Sequence, residues 1–286
     1  MPDHVIIGCG YTGARLARRL GGDLLAFTGS DASARQLRAA GVEASAWNLD
    51  QDPNSFVDVT GACVHYLAPP PETGVGDPRL ARGLRALRGR PRKFMYVSTT
   101  GVYGDAGGGV VTENTPPAPT TERGQRRLEA ENAVRAWCEA RGAPWLVLRV
   151  PGIYGPGRLP LARIRRGDPS IAEPEAGPGN RIHVDDLVTI LLAAAKSPTA
   201  VNRVYNVGDG EHASSTVYFR TVAQVAGLTP PPELPRAEVA RRVAPAAWSF
   251  MADSRRVDTT RLQQELGVTL AYPDLESGVR ASLTEG

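Results

Sequence analysis

Lysine is almost missing from this chain. Of its 33 basic residues only Lys93 and Lys196 are lysine, which leaves 31 arginines, and the formal net charge is just +3. So small an excess, without a clustered patch, does not point to a nucleic-acid partner. Cysteine is scarce too. Cys9, Cys63 and Cys138 are odd in number and widely spaced, so there is no disulfide framework, no C-x-x-C redox pair and no metal-ligand spacing. No apolar run approaches the roughly 18 residues of a membrane span, and no signal-peptide pattern precedes the first strand. The expectation is a cytoplasmic protein with no membrane partner and no metal. At 286 residues the chain holds one large α/β domain, or a nucleotide domain with a smaller lobe.

The richest stretch is Val5 to Leu20, which reads as buried strand, glycine turn and helix in one run. Its G-x-G-x-x-G spacing falls on Gly8, Gly10 and Gly13. Gly10 has no side chain to hold a pyrophosphate off the backbone, and Gly13 lets the helix pack close to the strand. The amides of the helix's first turn, from Tyr11 and Thr12 on, face the phosphates. A second strand, Leu24 to Phe27, follows, as a dinucleotide-binding unit requires.

Strands and helices then alternate. Helix 33–40 leads to strand 42–47, which ends near Asp50. Strand 62–67 is closed by Ala68 and Pro69, and helix 78–87 leads to strand 93–98. The stretch 99–121 reads as loop, helix 122–141 is the longest, and strand 145–150 follows. This order predicts a doubly wound parallel Rossmann sheet over 1–150. Residues 151–286 mix helices 184–195 and 214–226 with strand 203–207, and read as a smaller substrate-binding lobe with segments returning to the sheet.

Several segments in this order resemble the extended short-chain dehydrogenase/reductase family, the NAD-dependent epimerase/dehydratase group, over nearly the whole chain. They are Gly8 to Gly13, Leu67-Ala68, Val97 to Gly104, Leu148-Arg149 with Ile153 to Gly157, Arg181 to Asp186, and Tyr205 to Gly208. The resemblance implies an NAD(P)-dependent oxidoreductase or epimerase-like enzyme acting on a small anionic or sugar-type substrate. It places Thr99 at the family's Ser/Thr position, Leu67, Ala68 and Pro69 beside the cofactor, and Asp50 at the adenine amine. It also implies a homodimer through helix 122–141.

One departure governs how much carries over. Where the family has Tyr-x-x-x-Lys at the head of the long helix, this chain has Arg123 and Arg127. Arginine stays protonated at ordinary pH and cannot be the acid-base group. On one helical face, Arg123, Arg127 and Glu131 read either as an anion clamp or as a surface ladder worth roughly 0.2–0.5 kcal/mol per pair. Arg163, Arg165 and Arg166 either extend that attraction or form a solvated face. Tyr103 is the nearest phenol and either replaces the missing acid or lines the pocket, and Thr99 either orients a carbonyl or satisfies a strand end. His183 reads as a structural histidine ahead of a general base, and Asp185 and Asp186 as caps of the helix after them. The family's pyrophosphate-binding arginine is replaced by Gly179, which leaves a free sugar acid or phosphate open beside a nucleotide sugar.

The end of the second strand decides the cofactor. About 20 residues past Gly8 an acidic side chain would bind the 2′-hydroxyl of NAD, but the sequence there is Phe27-Thr-Gly-Ser-Asp31. Thr28, Ser30 and Arg35 suit a 2′-phosphate and favour NADP, while Asp31 keeps NAD open. The replaced Tyr-x-x-x-Lys pair leaves a second reading, a non-catalytic NAD(P)-binding sensor or regulator.

Overall fold

Seven parallel strands form the central sheet of the computed structural model, which describes residues 1–20, 22–74 and 76–284, the side chains at 245, 246, 249 and 250 aside. They are β1 (His4–Ile7), β2 (Leu24–Thr28), β3 (Ala44–Ala46), β4 (Cys63–Tyr66), β5 (Lys93–Thr99), β6 (Trp145–Val150) and β7 (Arg203–Asn206). Across the sheet the order is β3-β2-β1-β4-β5-β6-β7. Because both faces are covered by helices, the middle strands are buried on both sides rather than on alternate residues. β4 is buried at all four positions.

The helices are α1 (Tyr11–Leu20), α2 (Asp31–Ala39), α3 (Pro78–Ala86), α4 (Glu122–Glu139), α5 (Leu161–Arg165), α6 (Val184–Lys196), α7 (Ser215–Val225), α8 (Arg236–Arg242), α9 (Pro245–Ala252), α10 (Thr260–Leu266) and α11 (Leu275–Thr284). On one face Leu16 of α1, Leu187 and Leu191 of α6 and Leu262 of α10 share a core with Ile6, Met95, Leu146 and Leu148. On the other, Leu80 and Leu84 of α3 and Val134 of α4 pack with Val5, Val64, Phe94 and Tyr96. Each such fully buried aliphatic side chain contributes about 1.5–3 kcal/mol. A third core belongs to the chain after β6, where Tyr154, Ile164 and Ile171 meet Phe219 and Val222 of α7, Val239 of α8 and Val279 of α11.

One of the two lysines has a structural role. Lys93, buried at the start of β5, donates from Nζ to the carbonyls of Ala194 (2.6 Å) and Ser197 (2.7 Å) and so satisfies the end of α6.

Strand 42–47 shortens to Ala44–Ala46, because Val42 closes the end of α2 by donating to Leu37 O at 3.0 Å. The long helix stops at Glu139 rather than 141, where Gly142 takes φ +58°. The stretch 99–121 is more ordered than a loop. It opens with a 3-10 turn, Thr100–Tyr103, and its Val110–Val111 pairs in parallel with Arg256–Val257.

β1 and β4 are neighbours, yet the chain leaves them in opposite directions across the sheet. The crevice outside their carboxyl ends is the topological switch point where ligands of open α/β sheets bind.

Candidate functional site

The glycine turn sits in that crevice. Gly8 N and Cys9 N both donate to Phe27 O, at 3.0 and 2.7 Å, which fastens the turn to β2. Gly8 takes φ +92°, and a Cβ there would lie 2.3 Å from Ala68 N, so the turn and the end of β4 touch backbone to backbone. At Gly13 a Cβ would stand 3.0 Å from Gly8 O. At Gly10 an added Cβ would meet no described atom within 4 Å. Glycine at 8 and 13 is therefore required by packing, whereas at 10 it keeps a side open. That open side, at the N-terminus of α1, fits a pyrophosphate.

Tyr11 reaches across the crevice. Its hydroxyl donates to Pro156 O at 2.9 Å, and the guanidinium carbons of Arg15 and Arg158 stand 4.3 and 4.1 Å from its ring centroid. Thr12 is half-buried behind it, and Leu67, Ala68 and Pro69 line the β4 side, with Pro69 exposed.

The residues at the end of β2 and Asp50 are more occupied than the sequence suggests. Ser30 caps α2 by accepting from Ser33 N at 3.2 Å, Thr28 is buried, and Arg35 is exposed. Asp50 is held by Arg79 of α3 in a two-pronged pair, both contacts at 2.7 Å, and that hydrogen bond lowers its carboxyl pKa.

The start of α4 separates the arginines. Thr121 caps the helix by accepting from Gly124 N, and a Cβ on Gly124 would lie 2.8 Å from Gly101 O, so the helix rests on the 3-10 turn after Thr99. Arg123 is exposed; partial burial of its guanidinium, then the charges of Arg127 and Arg126, hold its pKa below the ordinary arginine value. Arg127 turns inward, donating from Nη1 to Tyr96 Oη (3.0 Å) and Val97 O (3.1 Å). Arg126 is also buried and pins the segment before α3, through Glu72 O (2.8 Å) and Gly74 O (2.7 Å). The two arginines of the expected clamp thus have different surroundings.

Thr99 Oγ1 accepts from Gly101 N at 3.1 Å. Tyr103 is 4% exposed and donates to Asn206 Oδ1 at 2.7 Å, and burial raises its pKa.

Glu131 makes no ladder with Arg127. It is fully buried, accepting from Ser98 Oγ (2.7 Å) and from Arg149 Nε (3.1 Å) and Nη2 (2.8 Å), while Arg149 lies 4.8 Å above the Tyr103 ring. Sequence reasoning misses this network. Its signal is a charge inside the apolar strand Trp145 to Val150, which demands a buried partner.

On the lobe side, His183 is 1% exposed and caps α6 through Nδ1, accepting from Asp185 N at 3.3 Å. The caps expected of Asp185 and Asp186 are therefore corrected. Asp185 pairs with Arg15 (3.5 Å), and Asp186 accepts from Ala271 N (2.7 Å) and Tyr272 N (3.0 Å). Gly179 has Ala213 O only 2.9 Å from a built Cβ. Arg181 fills that space, donating to Ala213 O at 2.6 Å. Arg163 donates to Pro169 O at 2.9 Å and stacks on Phe219, and Arg166 pairs with Asp168 at 2.7 Å.

A parallel sheet of this order, with a glycine turn at its switch point, defines a Rossmann-like α/β protein. The sequence model of the NAD dependent epimerase/dehydratase family matches residues 75–208. A functionally unknown conserved protein from Silicibacter pomeroyi is 31% identical, with a TM-score of 0.83 over 100% of this chain and 99% of its own. Protein YeeZ of Escherichia coli (strain K12) is 27% identical, over 96% of this chain and 97% of its own. The UDP-glucuronic acid 4-epimerase from Bacillus cereus in complex with NAD shares the fold, with a TM-score of 0.74 over 100% of this chain and 99% of its own at 17% identity. The chain belongs to the NAD-dependent epimerase/dehydratase family. Among the described residues no helix is long and apolar enough to cross a membrane.

Proposed function

We propose that the chain binds a nicotinamide dinucleotide across the carboxyl edge of the sheet and acts on a small anionic or sugar-type substrate held between that edge and the lobe. The observation that carries this reading is the open side of Gly10 at the N-terminus of α1, between two glycines that packing requires. The bound cofactor would supply or accept the hydride. Gly8, Gly10 and Gly13 with the amides of Tyr11 and Thr12 would hold the pyrophosphate, and Leu67 to Pro69 would border the riboses.

Arg123 is the group we assign to the substrate anion. A partly desolvated guanidinium crowded by Arg127 and Arg126 gains from a carboxylate or phosphate. Arg127 acts indirectly, fixing the head of α4 to β5. Thr99 would orient a substrate oxygen, and the proton would come from water, since the Tyr103 hydroxyl is turned to Asn206. An acid-bearing sugar of the kind named for the Bacillus cereus epimerase suits this arrangement, and so does a sugar phosphate. NADP rather than NAD is the finer part of the proposal. It rests on exposed Arg35, because Ser30 is engaged in capping α2 and Thr28 is buried.

A sensor that binds the dinucleotide without turnover is the second reading, favoured by the burial of Tyr103. Incubating the protein with sugar acids, sugar phosphates and nucleotide sugars plus cofactor separates the two. Turnover at any of them, read by nicotinamide absorbance or by an epimerised product, supports the enzyme; tight cofactor binding with none supports the sensor.

A further inference from the structure

At the amino edge of the sheet, opposite the glycine turn, neighbouring strands bring three metal-ligating side chains together. His4 opens β1 and Cys63 and His65 lie on β4, in a register that sets His4 against Cys63 and Ile6 against His65. One donor atom from each of the three lies within 4.8 Å of the others. His4 Nδ1 and His65 Nε2 are 3.1 Å apart. Cys63 Sγ has the thioether of Met95, on β5, at 3.7 Å.

Packing alone does not account for this cluster. Cys63 is fully buried and His65 is 1% exposed, and His65 Nδ1 is buried without a hydrogen-bond partner among the described residues. A buried imidazole with an unsatisfied nitrogen lacks the interaction that offsets its burial. His4 is half-buried, which leaves a way in from solvent.

We propose that His4, Cys63 and His65 form a binding site for copper(I), with Met95 as a neighbouring soft donor. Two imidazoles, a thiolate and a thioether are the donors that a soft ion selects over magnesium or calcium. Charge narrows the choice further. Lys93 stands opposite Cys63 in the register of β5 against β4, and a neighbouring cation disfavours a divalent ion. Copper(I) binding releases the Cys63 thiol proton to solvent and forms a copper–sulfur bond, so the thiolate and the monovalent ion cancel in charge and no oxidation state changes. The ion would tie β1 to β4 at the edge away from the crevice, as a structural or metal-responsive site. His4 and Cys63 are 59 residues apart in sequence, so only strand pairing reveals the set.

Titration of the full chain with copper(I) under anaerobic conditions, against a chromophoric copper(I) chelator, tests the proposal. One equivalent should be withheld from the chelator, and X-ray absorption should show mixed nitrogen and sulfur ligation. His4→Gln, at a half-exposed position where folding is preserved, should weaken binding by at least roughly 10-fold to 100-fold, and Cys63→Ser should abolish it. Cys9→Ser and Cys138→Ser should leave it unchanged. Absence of one-equivalent binding, indifference to His4→Gln, or tighter binding of zinc than copper(I) would each overturn it.

Discussion

Glu131 and Arg149 face each other inside the protein, the carboxylate taking both Nε and Nη2 of the guanidinium at 3.1 and 2.8 Å, with Ser98 as a third donor. Glu131 is fully buried and Arg149 is 3% exposed. The pair locks α4 to β5 and β6, with the Arg149 guanidinium over the Tyr103 ring. Removing one member strands the other charge away from water. Glu131→Ala is therefore expected to lower stability by about 3–5 kcal/mol, read by chemical denaturation. An apolar double replacement, Glu131→Leu with Arg149→Met, should recover much of the loss.

Arg123 and Arg127 should separate cleanly. Arg127→Ala leaves Tyr96 Oη and Val97 O short of a donor in the interior, and should reduce stability by about 1–3 kcal/mol. Arg123→Ala should cost less stability than Arg127→Ala and weaken an anionic ligand roughly 10-fold to 150-fold, with cofactor affinity intact. Parallel thermal melts and ligand titrations of the two variants check this. Equal loss of stability in both would show that Arg123 too is structural.

Asp209 supplies a pH dependence. Burial, against the nearby charge of Arg181, holds its carboxyl up at about 6. A carboxyl whose pKa is raised by folding keeps its proton more tightly in the folded chain. Its stabilising contribution is full below about pH 4 and is lost as the pH rises through about 6. Relative to the wild type, Asp209→Asn should therefore gain stability between pH 4.5 and 7, by on the order of 2 kcal/mol. Urea denaturation at those two pH values reads the difference. A gap that does not widen with pH would contradict it.

The glycine turn and the alternation of strands and helices are legible in the sequence because local rules write them: glycine spacing, apolar runs and helix stops act within a few residues. The arginines show where that legibility ends. Helical periodicity puts Arg123, Arg127 and Glu131 on one face, and they do share it, but it does not say that Arg127 would bend toward Tyr96 or that Glu131 would take a partner from β6. Those choices depend on residues 18 to 31 positions away, brought near only by sheet pairing. Asp185 and Asp186 fail as caps for the same reason. The backbone amides of Ala271 and Tyr272 compete for Asp186, and His183 already occupies the capping place.

Calorimetric titration of NADP, NADPH, NAD and NADH into the wild type and into Gly10→Val tests the central claim most directly. The wild type should bind one dinucleotide per chain, the phosphorylated forms more tightly. Gly10→Val should fold and melt as the wild type does, because a Cβ there has open space, yet lose at least about 10-fold in affinity, or 1.4 kcal/mol, because the pyrophosphate needs that space. Undiminished binding in Gly10→Val, or no dinucleotide binding by the wild type, would contradict the assignment of the crevice.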